Sequence, residues 1–144
     1  MLHTLMIKKL VPWSDYNEYE GEIEGVLDKH DVCCYVLMSS EEEWQTYTSG
    51  DNITVDLWLE RNGSVTLVKP PISMALRQVA GVNYEVTGTV TSILEETVLL
   101  DSVLPLRVDL DISPDTQHLI SEIHVGDQIC VAGILKVDLN PGEE

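Results

Sequence analysis

Apolar and polar residues alternate along much of this chain with a period of two, which predicts strands rather than helices. From Asp51 to Glu60, the residues Ile53, Val55, Leu57 and Leu59 alternate with Thr54, Asp56, Trp58 and Glu60, so one face belongs to a core. Looser alternation or short apolar runs predict further strands at 20–27, 32–38, 64–68, 84–94, 97–103, 106–112 and 128–139. Asp28-Lys29-His30-Asp31 reads as a turn, and Asn62-Gly63 as a tight hairpin into the strand that begins at Ser64. Residues 1–12 end at Pro12 and are expected to form an edge strand or a loose terminus.

Three short segments break the strand rhythm with helical spacing. Ser40-Glu41-Glu42-Glu43 is a Ser-x-x-Glu capping box, with acids in the first turn and with Trp44 and Tyr47 three apart on the helix it opens. Ser113-Pro114-Asp115 sets a cap, a first-turn proline and an acid before Leu119, Ile120 and Ile123. Between these, Lys69-Pro70-Pro71 leads into Ile72–Ala80, whose Met74, Ala75, Leu76 and Val79 predict a linker helix closed by Gly81.

One pattern occurs twice. Gly50-Asp51-Asn52-Ile53-Thr54-Val55 and Gly126-Asp127-Gln128-Ile129-Cys130-Val131 both read G-D-x-I-x-V, with Leu59 and Leu135 at the same distance beyond. Upstream, Glu22-Ile23-Glu24-Gly25 is echoed by Glu85-Val86-Thr87-Gly88. A glycine inside a strand pattern marks a bend, a bulge or a close approach. The order that results is a long strand bent at glycine, two more strands, a helix, then a strand opened by Gly-Asp. It resembles the oligonucleotide/oligosaccharide-binding (OB) barrel. The resemblance covers residues 84–139 well and 19–68 less well, where the third strand is shortened or missing, and no fifth strand follows Leu139. The expected fold is therefore mainly β: two OB-like β-barrel modules from an internal duplication, each with one short helix. The first is residues 1–68 with an N-terminal extension, the linker helix is 69–81, and the second is 82–144 with a short acidic tail.

Composition changes the functional picture more than the structural one. Eight Lys and Arg face 25 Asp and Glu, a net charge of −17. Nucleic-acid binding rests on cations that displace counterions from phosphates, and a field of this sign opposes it. Nucleic acid is thus a disfavoured partner. Cys33, Cys34 and Cys130 form no disulfide framework, and adjacent Cys33 and Cys34 point to opposite faces of a strand, which suits reduced thiols in a cytoplasmic protein. Residues 1–11 make a poor signal peptide, and no segment reaches the length of a membrane span.

The search for chemistry returns no catalytic constellation. His30-x-x-Cys33-Cys34 lacks the second ligand pair that a zinc site needs. In the run from Asp109 to Asp115, Pro114 and Ile120 stand where a calcium loop needs glycine and glutamate. No metal and no cofactor are expected. The expected function is a non-enzymatic protein-interaction module whose partner presents a basic surface. Its candidate binding residues are Trp58, Trp44, Trp13, Tyr16 and Tyr19 as aromatic anchors, with Glu41, Glu42 and Glu43 steering the partner. Trp58 lies opposite the core face of its strand, either under the linker helix or exposed to a partner. Two alternatives stand beside this reading: an inhibitor or immunity-type protein that mimics nucleic-acid charge, and a single-strand-binding OB protein.

Overall fold

In a computed structural model, the residues described are 1–13, 19–71, 73–114 and 116–141. The chain is mainly β. It forms β1 (Leu2–Pro12), β2 (Glu20–Leu27), β3 (His30–Leu37), β4 (Asn52–Leu67), β5 (Ala75–Ala80), β6 (Asn83–Leu94), β7 (Thr97–Asp101), β8 (Pro105–Asp109) and β9 (Gln128–Asp138). A 3-10 helix spans Glu41–Gln45 and α1 spans His118–Glu122. The alternation read from the sequence is real: β2 and β9 bury every second residue along nearly their whole length. Two compact units result, Met1–Leu57 with Leu135–Glu144 (unit 1) and Trp58–Ile134 (unit 2).

In unit 1, β1 pairs antiparallel with β2 from Leu5↔Leu27 to Pro12↔Gly21, and its first half pairs with β4 from Leu2↔Asp56 to Met6↔Asn52. β2 and β3 form a hairpin whose Asp28 and Lys29 both have positive φ, 45° and 71°, as a type I′ turn requires. The end of β9 runs parallel to β3, with Tyr35 opposite Lys136 and Val36 opposite Val137. Leu5, Ile7, Ile23, Leu27, Cys34, Val36, Val55, Leu57 and Leu135 fill the core. β1 bulges just after Ile7, and the Gly-Asp turn grips it there. Gly50 N–H donates to Ile7 O (2.7 Å), and Ile7 N–H donates to Asp51 O (2.8 Å). Gly50 has φ 97°, a conformation that suits only glycine, and the Asp51 carboxylate accepts the Thr48 N–H at 2.8 Å.

Unit 2 routes its strands in the same order. β6 pairs antiparallel with β7, and its first half with β9 from Asn83↔Ile134 to Thr89↔Gln128. β7 pairs with β8, and the middle of β4 runs parallel to β8 from Trp58↔Arg107 to Glu60↔Asp109. β6 bulges just after Val90. The second Gly-Asp turn grips that bulge: Gly126 N–H donates to Val90 O and Val90 N–H to Asp127 O, both at 2.8 Å. Gly126 has φ 94°, and Asp127 accepts the His124 N–H at 2.8 Å. The ring closes where the end of β4 lies along β9, with Val68 N–H donating to Gln128 O (2.8 Å). Its core holds Leu59, Tyr84, Val86, Val90, Val98, Leu100, Leu106, Val108, Leu110, Ile129 and Val131. Ser102 Oγ donates to Thr87 O at 2.6 Å where β7 ends.

Several expectations are corrected. The linker helix over 69–81 is not formed; Ala75–Ala80 is β5, a strand hairpinned onto β6 through Gly81-Val82. Its apolar spacing suits either period, and backbone pairing with β6 decides the matter. Residues 1–12, expected as an extension, are β1, so unit 1 has its full set of first three strands and lacks none. Asn62-Gly63 makes no hairpin. It lies inside the continuous β4, and Gly63 is small because the Ala132 side chain presses on it at 3.1 Å from where its Cβ would stand. The glycine echo also dissolves. Gly25 lies in β2 opposite Ile7, while Gly88 lies in β6 two residues before Val90, so the two are not in corresponding strands.

Candidate functional site

Four of the predicted site residues lie on the 3-10 helix of unit 1. Its expected capping box is shifted by one residue, because Ser40 makes no side-chain cap. Instead Glu43 reaches back to Ser39, accepting its backbone N–H at 2.6 Å and its hydroxyl at 2.9 Å, while its other oxygen accepts the Asn140 amide. Burial works against the Glu43 charge, but these hydrogen bonds outweigh it and hold the carboxyl below its ordinary pKa. The helix, Ser39 and Asn140 border a shallow cleft, largely open to solvent, of about 530 Å³ that is also lined by Glu42, Thr46 and Tyr47. Burial and the neighbouring Glu43 raise the Tyr47 phenol above its ordinary pKa. Glu41 and Glu42 are exposed.

Trp44 faces the other way. Its ring tip lies on Gly21, on the core side of β2, where any Cβ would collide with it. Trp44 is half-buried, its ring packed on β2 rather than held wholly out to solvent.

The Trp13 group separates into parts. Trp13 is 44% exposed and donates its indole N–H to Glu22 at 2.9 Å. Its ring stands 5.4 Å from Tyr35, tilted by 58°, and the Lys136 ammonium lies 5.0 Å from the Tyr35 ring on the far side of the strand pairing. Tyr19 is also 44% exposed and is held through its carbonyl, which accepts the Met38 N–H at 2.7 Å. Tyr16 lies outside the described residues.

Trp58 belongs to unit 2. It is half-buried, with the Arg107 guanidinium 5.1 Å from its ring centroid across the parallel β4–β8 pair. A cation–π contact of this kind contributes about 0.5–1 kcal/mol at an exposed site. The sequence phase of Trp58 is as expected, but the helix expected to cover it does not exist.

Sequence reasoning missed Tyr35, Lys136 and Asn140. Asn140 reaches Glu43 over 97 residues of chain, a contact that no local pattern announces. The cations are largely engaged within the fold. Lys8 pairs with Asp31, Arg77 with Glu85, and Arg61 donates to the Leu110, Gly63 and Asp111 carbonyls. Both Cys33 and Cys34 are buried, one on each face of β3. Burial, reinforced by Glu22 and Glu24, pushes the Cys33 thiol up to about 12, and burial raises Cys34 as well. Among the described residues, no group of three or more His, Cys, Asp and Glu is placed to hold a metal, and no helix is long and apolar enough to cross a membrane.

No protein-family model matches the chain, and no curated protein matches it. A solved structure, the cytoplasmic molybdate-binding protein ModG with molybdate bound, is similar to it at 11% identity and a TM-score of 0.49, over 96% of this chain and 96% of that chain.

Proposed function

We propose that this chain is a non-enzymatic, cytoplasmic protein-interaction domain of two OB-like units that arose by duplication. Its unit 1 cleft receives a Lys or Arg side chain from a basic partner. The duplication is supported by the two Gly-Asp turns, each of which grips the bulge of a long strand through the same pair of hydrogen bonds. The observation that carries the function is the cleft itself. It is large enough for an extended cationic side chain, it is walled by Glu42 and Tyr47, and it contains a Glu43 carboxylate held in its charged form. A cation entering there meets one fixed charge, one free carboxylate and an aromatic wall. The net charge of −17 adds long-range attraction, which speeds encounter with a basic surface. The nucleic-acid alternative gains no support, since most of the few cations are occupied within the fold.

The test is calorimetric titration with an oligo-lysine peptide at low and high salt, using wild type, Glu42→Gln and Glu122→Gln. Both variants remove one exposed carboxylate, but only Glu42 lines the cleft. Binding should weaken with salt, and Glu42→Gln should weaken it at least severalfold more than Glu122→Gln. Equal losses in the two variants would mean that net charge alone binds the peptide, and the cleft reading would be abandoned.

A further inference from the structure

Among the described residues, every strand has two or more strand neighbours except β5. It pairs with β6 from Ala75↔Thr87 to Ala80↔Asn83 and with no other described strand. Residues 77–80 are exposed, Val79 by 54%, and Met74 just before the strand by 43%. A free strand edge is a row of backbone donors and acceptors ready to pair with another chain.

Charge singles out the same segment. Residues 61–84 contain no Asp or Glu, yet they hold Arg61, Lys69 and Arg77, three of the eight basic residues in the chain. All 25 acids lie elsewhere. Two copies of a chain with a net charge of −17 repel one another over most of their surfaces. Across this segment they meet without carboxylates of its own. Arg77 is paired with Glu85 on β6 at 2.7 Å, so the edge does not bring two bare cations together either.

We propose that β5 pairs edge to edge with β5 of a second copy of this chain. Since both copies offer the same edge, the join is two-fold symmetric and its strands run antiparallel. The register shift between Gln78 and Ala80 confines the irregular part to one end and leaves Ala75–Gln78 as the regular pairing segment.

The test combines mass in solution with backbone exchange. Light scattering after size exclusion, from low to high micromolar protein, should show the mass doubling as concentration rises. Added salt should strengthen the dimer by screening the repulsion, opposite in sign to its effect on a basic ligand. Hydrogen–deuterium exchange should slow at 75–80 in the concentrated sample. Gln78→Lys, at an exposed position within that segment, should raise the dimer dissociation constant at least tenfold while the single chain still unfolds cooperatively. A single-chain mass throughout overturns the proposal. So does a doubled mass with unchanged exchange at 75–80, which would place the contact elsewhere and which needs no variant to fold. Protection of β5 by a different protein, while the chain itself stays single, would also overturn self-pairing.

Discussion

Unit 1 and unit 2 follow one pairing plan and present different exteriors. In both, a long bulged strand is gripped by Gly-Asp at the bulge, at Ile7 in one and at Val90 in the other. In both, a parallel strand pair sets a cation against an aromatic ring, Lys136 against Tyr35 and Arg107 against Trp58. The exteriors part company from there. Unit 1 carries the acidic cleft of Glu42 and Glu43, together with exposed Trp13 and Tyr19. Unit 2 carries an additional edge strand within a segment that has no acids. Backbone geometry is what the two share, and side chains outside the core are where they differ. The shared parts are therefore read as scaffold and the differing parts as places to look for function.

The largest expected effect breaks a close approach of two strands in unit 2, of the kind Gly21 and Gly25 make in unit 1. Any Cβ at Gly133 would run into the Glu60 backbone carbonyl, which has no flexible end to swing aside. Gly133→Ala should cost about 2–3 kcal/mol in denaturant unfolding, the upper part of the range for overpacking. A loss below half a kcal/mol would show that β4 and β9 can separate there freely.

Next in size is a matched pair that sharpens the likeness. At Gly50 and Gly126 an added Cβ meets nothing within 4 Å, so alanine is penalised only by the positive φ. Gly50→Ala and Gly126→Ala should each cost about 1–2 kcal/mol. If the two turns are one device used twice, these costs should agree closely, and unequal costs would break the equivalence.

The smallest effect near neutral pH separates the units by titration. Cys34 lies in the unit 1 core and its folded pKa is raised from an ordinary 9.0, so the folded state keeps a proton that the unfolded state releases. Stability is then intact below pH 9 and falls as pH rises beyond it, by up to roughly 1.4 kcal/mol per pH unit for a fully buried thiol. Cys34→Ala should flatten the alkaline limb of a stability–pH curve. A curve of unchanged slope would assign that limb to other groups. Cys130→Ala provides the comparison within unit 2.

Local grammar was legible in the sequence, and partnership was not. The Gly-Asp turns, the Asp28-Lys29 hairpin and the alternation of β4 and β9 depend on neighbouring residues, so pattern alone found them. Glycines misled where their reason lay in another strand. Gly63 yields to Ala132 and Gly25 to the Met6 carbonyl, and neither cause is visible from its own stretch of chain. β5 was misread because its apolar residues fit a helical spacing and only the β6 partner makes them a strand. In the candidate site, Glu42 and Glu43 were legible as a helix start. The cleft around them was not, because Asn140 arrives from the far end of the chain.

The route of β4 and β9 also sets an order for folding on the ribosome. Unit 2 is one uninterrupted segment, Trp58–Ile134, and can complete its ring as soon as that segment has emerged. Unit 1 emerges first yet finishes last, because its β3 waits for Lys136 and Val137, and Tyr35 pairs 101 residues downstream (136 − 35). Until then β3, with Cys34 and Val36, lacks the β9 strand that pairs with it in the finished fold. A stop codon just before Leu135 would therefore damage the part of the protein made earliest.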